Sequence, residues 1–449
     1  MAIGRRGFLD RSIKGGLGAA LGAATLPGPL KAVVPSDKVV VGIMGVGSRG
    51  TALIQLFAQR PDVEIAYVCD VDDRKAALAA KAVQAKKGKA PAVVGSFEHI
   101  LEDSDVNALV CAAPDHWHSL ATVLACQVGK DVYVESPASH NIWEGRKMVE
   151  AARKYNRVVQ VGLQNRSSSY AITGRQLIQS GKLGTIHLVA IYNMMTRAPL
   201  ENTPDSLPPE GFDWAMWLGP AATRRYNPKY FQRVYWDFSG GNITEEGVHQ
   251  LDLARWVVGA SYPKSVHHTG GEFFFKDGAE TPDTSVVTYA YDNLTMIFQQ
   301  AWWTPYMVKL PDNVGESMTK LPDWYPFTGT RTEIYGSDGM MILGRDGGGW
   351  QQFDREGRRM ASDKQTFAAM QVAHIDDFIS CIRSRKRPSA DVEDGHISAA
   401  LCHMANISYR VGDRKLAFDS GNETFGGDNE ANRYLKRTYR EPWVIPENV

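Results

Sequence analysis

From residue 39 onward, short apolar runs alternate with segments of helical period. Val39-Val40-Val41-Gly42-Ile43-Met44 is continuously apolar, as a strand buried on both faces should be. A helical segment, Thr51 to Gln59, follows, and then a second apolar strand, Val63 to Cys69. The alternation continues with strand Asn107 to Ala113, helix Ser119 to Val128, strand Asp131 to Val134, helix Trp143 to Tyr155 and strand Val158 to Gly162. Strands alternating with helices predict βαβ units and a parallel sheet. After Gly184 the pattern shifts to partial period-two alternation. Strands are expected at Thr185–Tyr192, Ser265–Phe275, Ser285–Tyr291, Leu294–Trp302, Thr332–Tyr335 and Met340–Leu343, which predicts a largely antiparallel second sheet. The expected division is a leader over 1–32, a dinucleotide-binding domain over 36–165 and an α/β domain over 166–449 carrying substrate and subunit contacts.

The leader is read from charge and from a short apolar run. Arg5, Arg6 and Arg11 precede Gly16 to Ala24, which is too short to span a bilayer, and Pro27 and Pro29 follow. Gly4-Arg5-Arg6-Gly7-Phe8-Leu9 resembles a twin-arginine export signal, with Asp10 where such signals usually carry Lys. Export to the periplasm is therefore expected, with no stable membrane anchor after cleavage. The whole chain has 50 basic and 50 acidic side chains. The leader's Arg5, Arg6, Arg11, Lys14 and Lys31 against Asp10 give it +4, so the remainder stands at −4. That balance argues against nucleic acid as a partner. The five cysteines form no C-x-x-C and are expected as buried free thiols.

Chemistry enters at the first turn. Strand 39–44 runs into Gly45-Val46-Gly47-Ser48-Arg49-Gly50, a G-x-G-x-x-G that opens a helix. Gly45 permits the tight turn, Gly47 lets backbone approach a pyrophosphate, and Gly50 lets helix and strand pack closely. The helix start offers N–H groups to phosphate, with Ser48 and Arg49 beside it. Asp70 ends the second strand 20 residues past Gly50, where an acid bonds ribose hydroxyls. Its charge favours NAD over NADP, a preference that nearby Arg74 could blunt. Pro114-Asp115-His116-Trp117-His118, Glu135-Ser136-Pro137 and Gln164-Asn165-Arg166 follow later strands, at the sheet edge where ligands sit. Read as strand residues, His116 and His118 share a face, but no further metal-ligand set stands nearby. Packing beside cofactor or substrate is expected for them, and no metal. Nine of the 11 Trp lie after residue 200, where a ring could stack on a sugar.

Helix Glu245 to Val258 carries a polar stripe. At 100° per residue, Glu245, His249, Asp252 and Trp256 fall within a band about 60° wide, apart from an apolar face. Glu245 as the i,i+4 neighbour of His249 would orient the ring and raise its basicity, which suits proton transfer at an alcohol.

Together with Gly181-Lys182-Leu183-Gly184 and Thr244 to Asp252, these motifs resemble the Gfo/Idh/MocA oxidoreductases over nearly all of the chain after the leader. The resemblance implies a Rossmann domain followed by an α/β domain whose open, mostly antiparallel sheet covers the nicotinamide and often mediates homo-oligomers. Members mostly oxidise or reduce sugars and cyclitols with NAD or NADP. Some exported relatives hold NAD tightly and recycle it while cleaving glycosides through a keto intermediate. The resemblance implies Gly45, Gly47, Ser48, Arg49, Gly50, Asp70, Pro114, His118, Glu135 and Gln164 as cofactor contacts. His249 is implied as acid/base, helped by Glu245 or Asp252. Two positions depart from the pattern. Ser136 replaces the lysine of the family's E-K-P, and Glu245 replaces an aspartate. Three functions follow: a sugar dehydrogenase, a non-redox glycoside-cleaving, lyase or epimerase enzyme, and a catalytically impaired sugar-binding paralogue.

Overall fold

The computed structural model describes residues 38–307 and 328–449. The expected leader, residues 1–32, lies outside the described residues. Six strands, β1 (Val39–Met44), β2 (Val63–Cys69), β3 (Ala92–Val94), β4 (Ala108–Cys111), β5 (Asp131–Val134) and β6 (Val159–Val161), form one parallel sheet in the order β3-β2-β1-β4-β5-β6. Their apolar runs allow burial on both faces, with helices above and below. The order reverses between β1 and β4, so a crevice opens at their carboxyl ends. One face of this sheet is completed from far along the chain. Ile375, Phe378 and Ile379 of helix Phe367–Ser384 pack among Val41, Ile43, Phe57 and Tyr133.

The second sheet has ten strands: β7 (Ile186–Met194), β8 (Ser265–Gly271), β9 (Thr284–Ala290), β10 (Thr295–Ala301), β11 (Arg331–Gly336), β12 (Gly339–Gly344), β13 (Trp350–Asp354), β14 (Arg359–Asp363), β15 (Leu416–Asp419) and β16 (Thr424–Phe425). The order is β14-β13-β12-β11-β7-β10-β9-β8-β15-β16, antiparallel except for the β7–β10 pair. The chain is thus α/β with a Rossmann sheet and a mixed, mostly antiparallel second sheet, as the period change indicates. All five cysteines are free and buried. Among the described residues no helix is long and apolar enough to cross a membrane. The tail folds onto the body: Trp443 is buried with its ring 5.1 Å from that of Trp117, and Arg440 Nε donates to the Gly219 carbonyl.

Two local expectations need correction. Pro114 to His118 does not extend a strand, because helix Asp115–Gln127 begins at Asp115. Pro114 precedes it in extended conformation, a favoured way into a helix. His116 and His118 therefore point to different sides. The segment 243–258 is also not one regular helix. Ile243–Gly247 is π-helical and α-helix starts only at Val248. The wider turn carries Glu245 off the stripe that a uniform 3.6-residue period assigns it.

Candidate active site

The glycine turn is built to admit a phosphate. Gly45 has φ +83°, and a Cβ there would stand 2.6 Å from the Ala113 nitrogen. A Cβ on Gly50 would sit 1.9 Å from the Gly45 carbonyl oxygen, so only glycine lets the helix close on the turn. A Cβ on Gly47 would meet no protein atom within 4 Å, which leaves that side open to a ligand. Helix Ser48–Gln59 has no side-chain cap and no acid in its first turn, so its N–H groups and dipole remain available to an anion.

Asp70 faces the same cavity, of about 310 Å³. Its Oδ2 accepts the Val46 N–H at 2.7 Å and its Oδ1 the Asp72 N–H at 2.9 Å. Each oxygen keeps a further lone pair for a ribose hydroxyl. Arg74 is turned away to Asp72, with Nε 3.1 Å from Oδ1. Gly45, Gly47, Ser48, Asp70 and Pro114 line this cavity together.

The sequence gives little warning of the opposite wall. An insertion of roughly 45 residues after β7 crosses the crevice. Asp73 N–H donates to Gly211 O at 2.9 Å and Asp213 N–H to Val71 O at 2.8 Å, tying the insertion to the loop beyond Asp70. Phe212, Met216, Trp217, Tyr230, Phe231 and Phe238 line the cavity from this side. His116 Nε2 lies 2.9 Å from the Trp217 carbonyl and packs edge-on to Trp217 and Phe238, so it is part of this wall. The aromatic rings thus cover the dinucleotide cavity, and among the described residues no Trp lines the adjoining one.

That adjoining cavity, of about 270 Å³, gathers Ser48, Arg49, His118, Glu135, Ser136, Gln164, Glu245 and His249. Arg49 Nε donates to Glu135 Oε1 at 2.7 Å. Burial alone would push the Glu135 carboxyl up, but the Arg49 charge and hydrogen bonds outweigh it and hold the group ionised. Tyr133 OH donates to Glu135 Oε1 at 3.1 Å, and Gln164 Nε2 donates to Tyr133 OH at 3.1 Å. His118 has its two ring nitrogens 2.7 Å from Pro137 O and 2.8 Å from Ala113 O, fixing the turn after β5. Ser136 Oγ and His249 Nε2 stand 3.2 Å apart. Burial first, and the Arg345 charge second, lower the His249 pKa, so the ring is neutral and able to take a proton. Its Nδ1 is buried with no hydrogen-bond partner among the described residues.

Two residues of the expected polar stripe are engaged elsewhere. Glu245 accepts from Ser239 Oγ at 3.0 Å and pairs with Arg233, so it does not orient His249. Asp252 is fully buried, outside the cavity, in a fork with Arg166 (Nη2 to Oδ1 2.8 Å, Nε to Oδ2 2.9 Å), and it accepts from Ser398 Oγ at 2.6 Å. Trp256 stacks under Arg166 and Arg175. Asp252 is thus a structural counter-ion. Asp252→Ala leaves the buried Arg166 with only the half-exposed Asp394 opposite it and should cost up to about 3–5 kcal/mol of stability, read as a lower urea midpoint. Asn165 is also turned away, accepting from Tyr170 OH and the Asp346 N–H.

With this geometry in view, residues 39–163 match the model described as "Oxidoreductase family, NAD-binding Rossmann fold". Residues 185–295 and 332–445 match "Oxidoreductase family, C-terminal alpha/beta domain". The chain belongs to the Gfo/Idh/MocA oxidoreductase family. Its Rossmann domain is of the NAD-binding kind, and the residues around the glycine turn fit that group. An uncharacterized oxidoreductase, YrbE of Bacillus subtilis, is 23% identical over 58% of this chain and 66% of its own length. A "Glycosyl hydrolase family 109 protein" of Saccharopolyspora erythraea is 35% identical over 32% of this chain and 33% of its own. The chain thus spans one to two thirds of these relatives. The WlbA dehydrogenase of Bordetella pertussis, solved with NADH and UDP-GlcNAcA, shares the fold. It has a TM-score of 0.61 and 21% identity, over 85% of this chain and 99% of that one.

Proposed function

We propose that this chain is an NAD-dependent enzyme that oxidises or reduces a sugar or glycoside at a carbinol or keto carbon, with His249 as acid/base. The observation that carries this reading is the neutral, half-buried His249 within 3.2 Å of Ser136 Oγ, in a cavity continuous with the glycine turn. Gly45, Gly47 and the N–H groups of helix Ser48–Gln59 would hold the pyrophosphate, and Asp70 a ribose. NAD bound there supplies the hydride acceptor. His249 Nε2 takes the hydroxyl proton of the substrate and returns it in the reverse direction. Ser136 Oγ hydrogen-bonds the same oxygen, where relatives place a lysine, so the site stabilises a developing alkoxide without an ammonium. Arg49 holds Glu135 ionised beside it and fixes the turn.

The experiment combines native mass spectrometry with turnover. Purified protein should carry or bind a nicotinamide dinucleotide, and a preparation that does neither overturns the assignment. Ser136→Lys should lower turnover about tenfold or more, because it sets a like charge against the ring once His249 is protonated. A large gain would instead assign the site to a catalytically impaired sugar-binding relative.

A second reading has its own support. The segment after β7 walls one side of the dinucleotide cavity with six apolar or aromatic side chains and is tied down by backbone hydrogen bonds. Such a wall favours a cofactor that stays bound and is recycled within each turnover, during glycoside cleavage, elimination or epimerisation. Glycosyl hydrolase family 109 relatives fit this variant. Retention of NAD through dialysis with no net NADH supports it, and NADH accumulating in step with substrate oxidised excludes it. Export by the twin-arginine pathway and assembly of a homo-oligomer through the ten-stranded sheet complete the proposal.

A further inference from the structure

The cleft holds a second proton-handling centre opposite His249. Asp115 is the first residue of helix Asp115–Gln127 and Glu245 lies in the π-turn, so two distant segments bring these side chains together. Both line the 270 Å³ cavity, and Asp115 also lines the dinucleotide cavity. The two carboxyls share this cavity, and the Asp115 charge acts on the Glu245 carboxyl. Asp115 is 4% exposed, and no donor among the described residues reaches its Oδ2. Glu245 is held on its other side by Ser239 Oγ and Arg233.

The groups facing the pair are few. Arg233 comes from the insertion, in a left-handed conformation at φ +58°. Glu246 stands on the π-turn beside Glu245 and His249 on the α-helix that follows, and Arg49, His118, Glu135, Arg345 and Asp346 line the shared cavity. Arg49 is paired with Glu135, and Arg345 with Glu246 and Asp346, so these two cations are already matched. One guanidinium, Arg233, is left for two carboxyls that line one cavity. Two carboxyls so placed cannot both be ionised cheaply, and keeping one proton between them relieves the repulsion. Burial, then the Asp115 charge, push the Glu245 carboxyl up to about 8, and burial raises that of Asp115.

We propose that Asp115 and Glu245 share one proton and deliver it to the leaving oxygen when the C–O bond of a glycoside breaks in this cleft. The proposal rests on the recycled-cofactor reading above. A plain alcohol oxidation uses one proton acceptor, and His249 supplies it. Cleavage needs a donor as well. Once the carbinol is oxidised to a ketone by bound NAD, His249 passes its first proton to solvent. It then takes the acidified C–H proton beside the carbonyl. The C–H electron pair becomes a C=C bond, and the C–O bond beyond it breaks. The oxygen keeps that bond's electrons and takes the carboxyl proton, so a neutral alcohol leaves. When water adds across the C=C bond, its OH joins carbon and its proton returns to the carboxyl pair. Carbon recovers its hydrogen from His249. Neither step changes the oxidation level overall, and Arg233 balances the transient second negative charge.

The test uses the holoenzyme with methyl and 4-nitrophenyl hexosides, matched sugar by sugar. Methoxide needs protonation to leave and nitrophenolate does not. Asp115→Asn should lower release from the methyl glycoside about 100-fold or more and from the 4-nitrophenyl glycoside far less. An equal fall for both overturns the proposal. Infrared spectra of wild-type holoenzyme at pH 7 should show a protonated carboxyl band that Glu245→Gln and Asp115→Asn both remove. Absence of the band in wild type overturns it independently of activity. Wild-type enzyme that oxidises free sugars but releases aglycone from neither glycoside marks failure of the recycled-cofactor reading, and the leaving-group role falls with it. Wild-type cleavage without leaving-group dependence in Asp115→Asn marks failure of this proposal alone.

Discussion

His249→Gln should lower turnover by about 10²- to 10⁴-fold and leave the bound dinucleotide in place, because the ring is the acid/base of the proposed transfer and touches no part of the glycine turn. Glutamine keeps a hydrogen-bonding end for Ser136 Oγ, so the effect reports proton transfer and not collapse of the cavity. The ring is partly withdrawn from water and stands near the Arg345 charge, and both features keep it neutral near pH 7. Turnover in the oxidation direction should therefore fall as the ring is protonated below its lowered pKa. That acidic limb should vanish in His249→Gln. Stopped-flow measurement of bound NADH formation, over a range of pH, reads both outcomes. An unchanged rate in the variant would remove His249 from the chemistry.

The second large effect separates two glycines of one motif. Gly47→Ala adds a methyl group that meets no protein atom, so the chain should melt at the wild-type temperature. The methyl occupies the side left open for the pyrophosphate, and nicotinamide binding should weaken by at least two orders of magnitude, about 2.7 kcal/mol. Gly50→Ala does the opposite first. Its methyl would overlap the Gly45 carbonyl at 1.9 Å, and the helix must move off the turn, costing at least about 1–3 kcal/mol. Isothermal titration and thermal melts together distinguish the two. Equal losses of stability in both variants would show that Gly47 is packed by protein and not reserved for phosphate.

Much of this arrangement is legible in the chain itself, because the signals are local. An apolar run, a glycine turn and an acid 20 residues on define the dinucleotide half, and the shift to period two marks the second sheet. The misreadings also have local causes. Pro114-Asp115-His116-Trp117-His118 carries polar and aromatic residues that look like a strand end, and only the hydrogen bonds reveal a helix beginning at Asp115. Uniform helical periodicity puts Glu245 beside His249, and it has no means of showing a π-turn. Asp252 shows how a titratable side chain on a helix face is ambiguous. Its partner, Arg166, lies 86 residues away in sequence, and nothing near Asp252 distinguishes a buried counter-ion from a catalytic acid. Arg233 and the aromatic wall were invisible for another reason: they belong to an insertion with no repeating pattern, positioned by backbone contacts to residues 71–73. Asp115 stands in a motif that by itself suggests no role for it, since the carboxyl that shares its cavity comes from a segment 130 residues later.

The packing of Ile375, Phe378 and Ile379 against β1 and β5 bears on how the chain is made. The glycine turn and all six parallel strands leave the ribosome early, yet part of one side of that sheet stays uncovered until roughly 200 further residues have been added. At about 5–20 residues per second, that interval is on the order of 10–40 s. Throughout it, helices 48–59 and 73–87 cover only their share of that side, and the patch around Tyr133 waits for the late helix. A chain cut at residue 165 would keep that patch exposed, so the dinucleotide half should be less stable alone than within the whole chain.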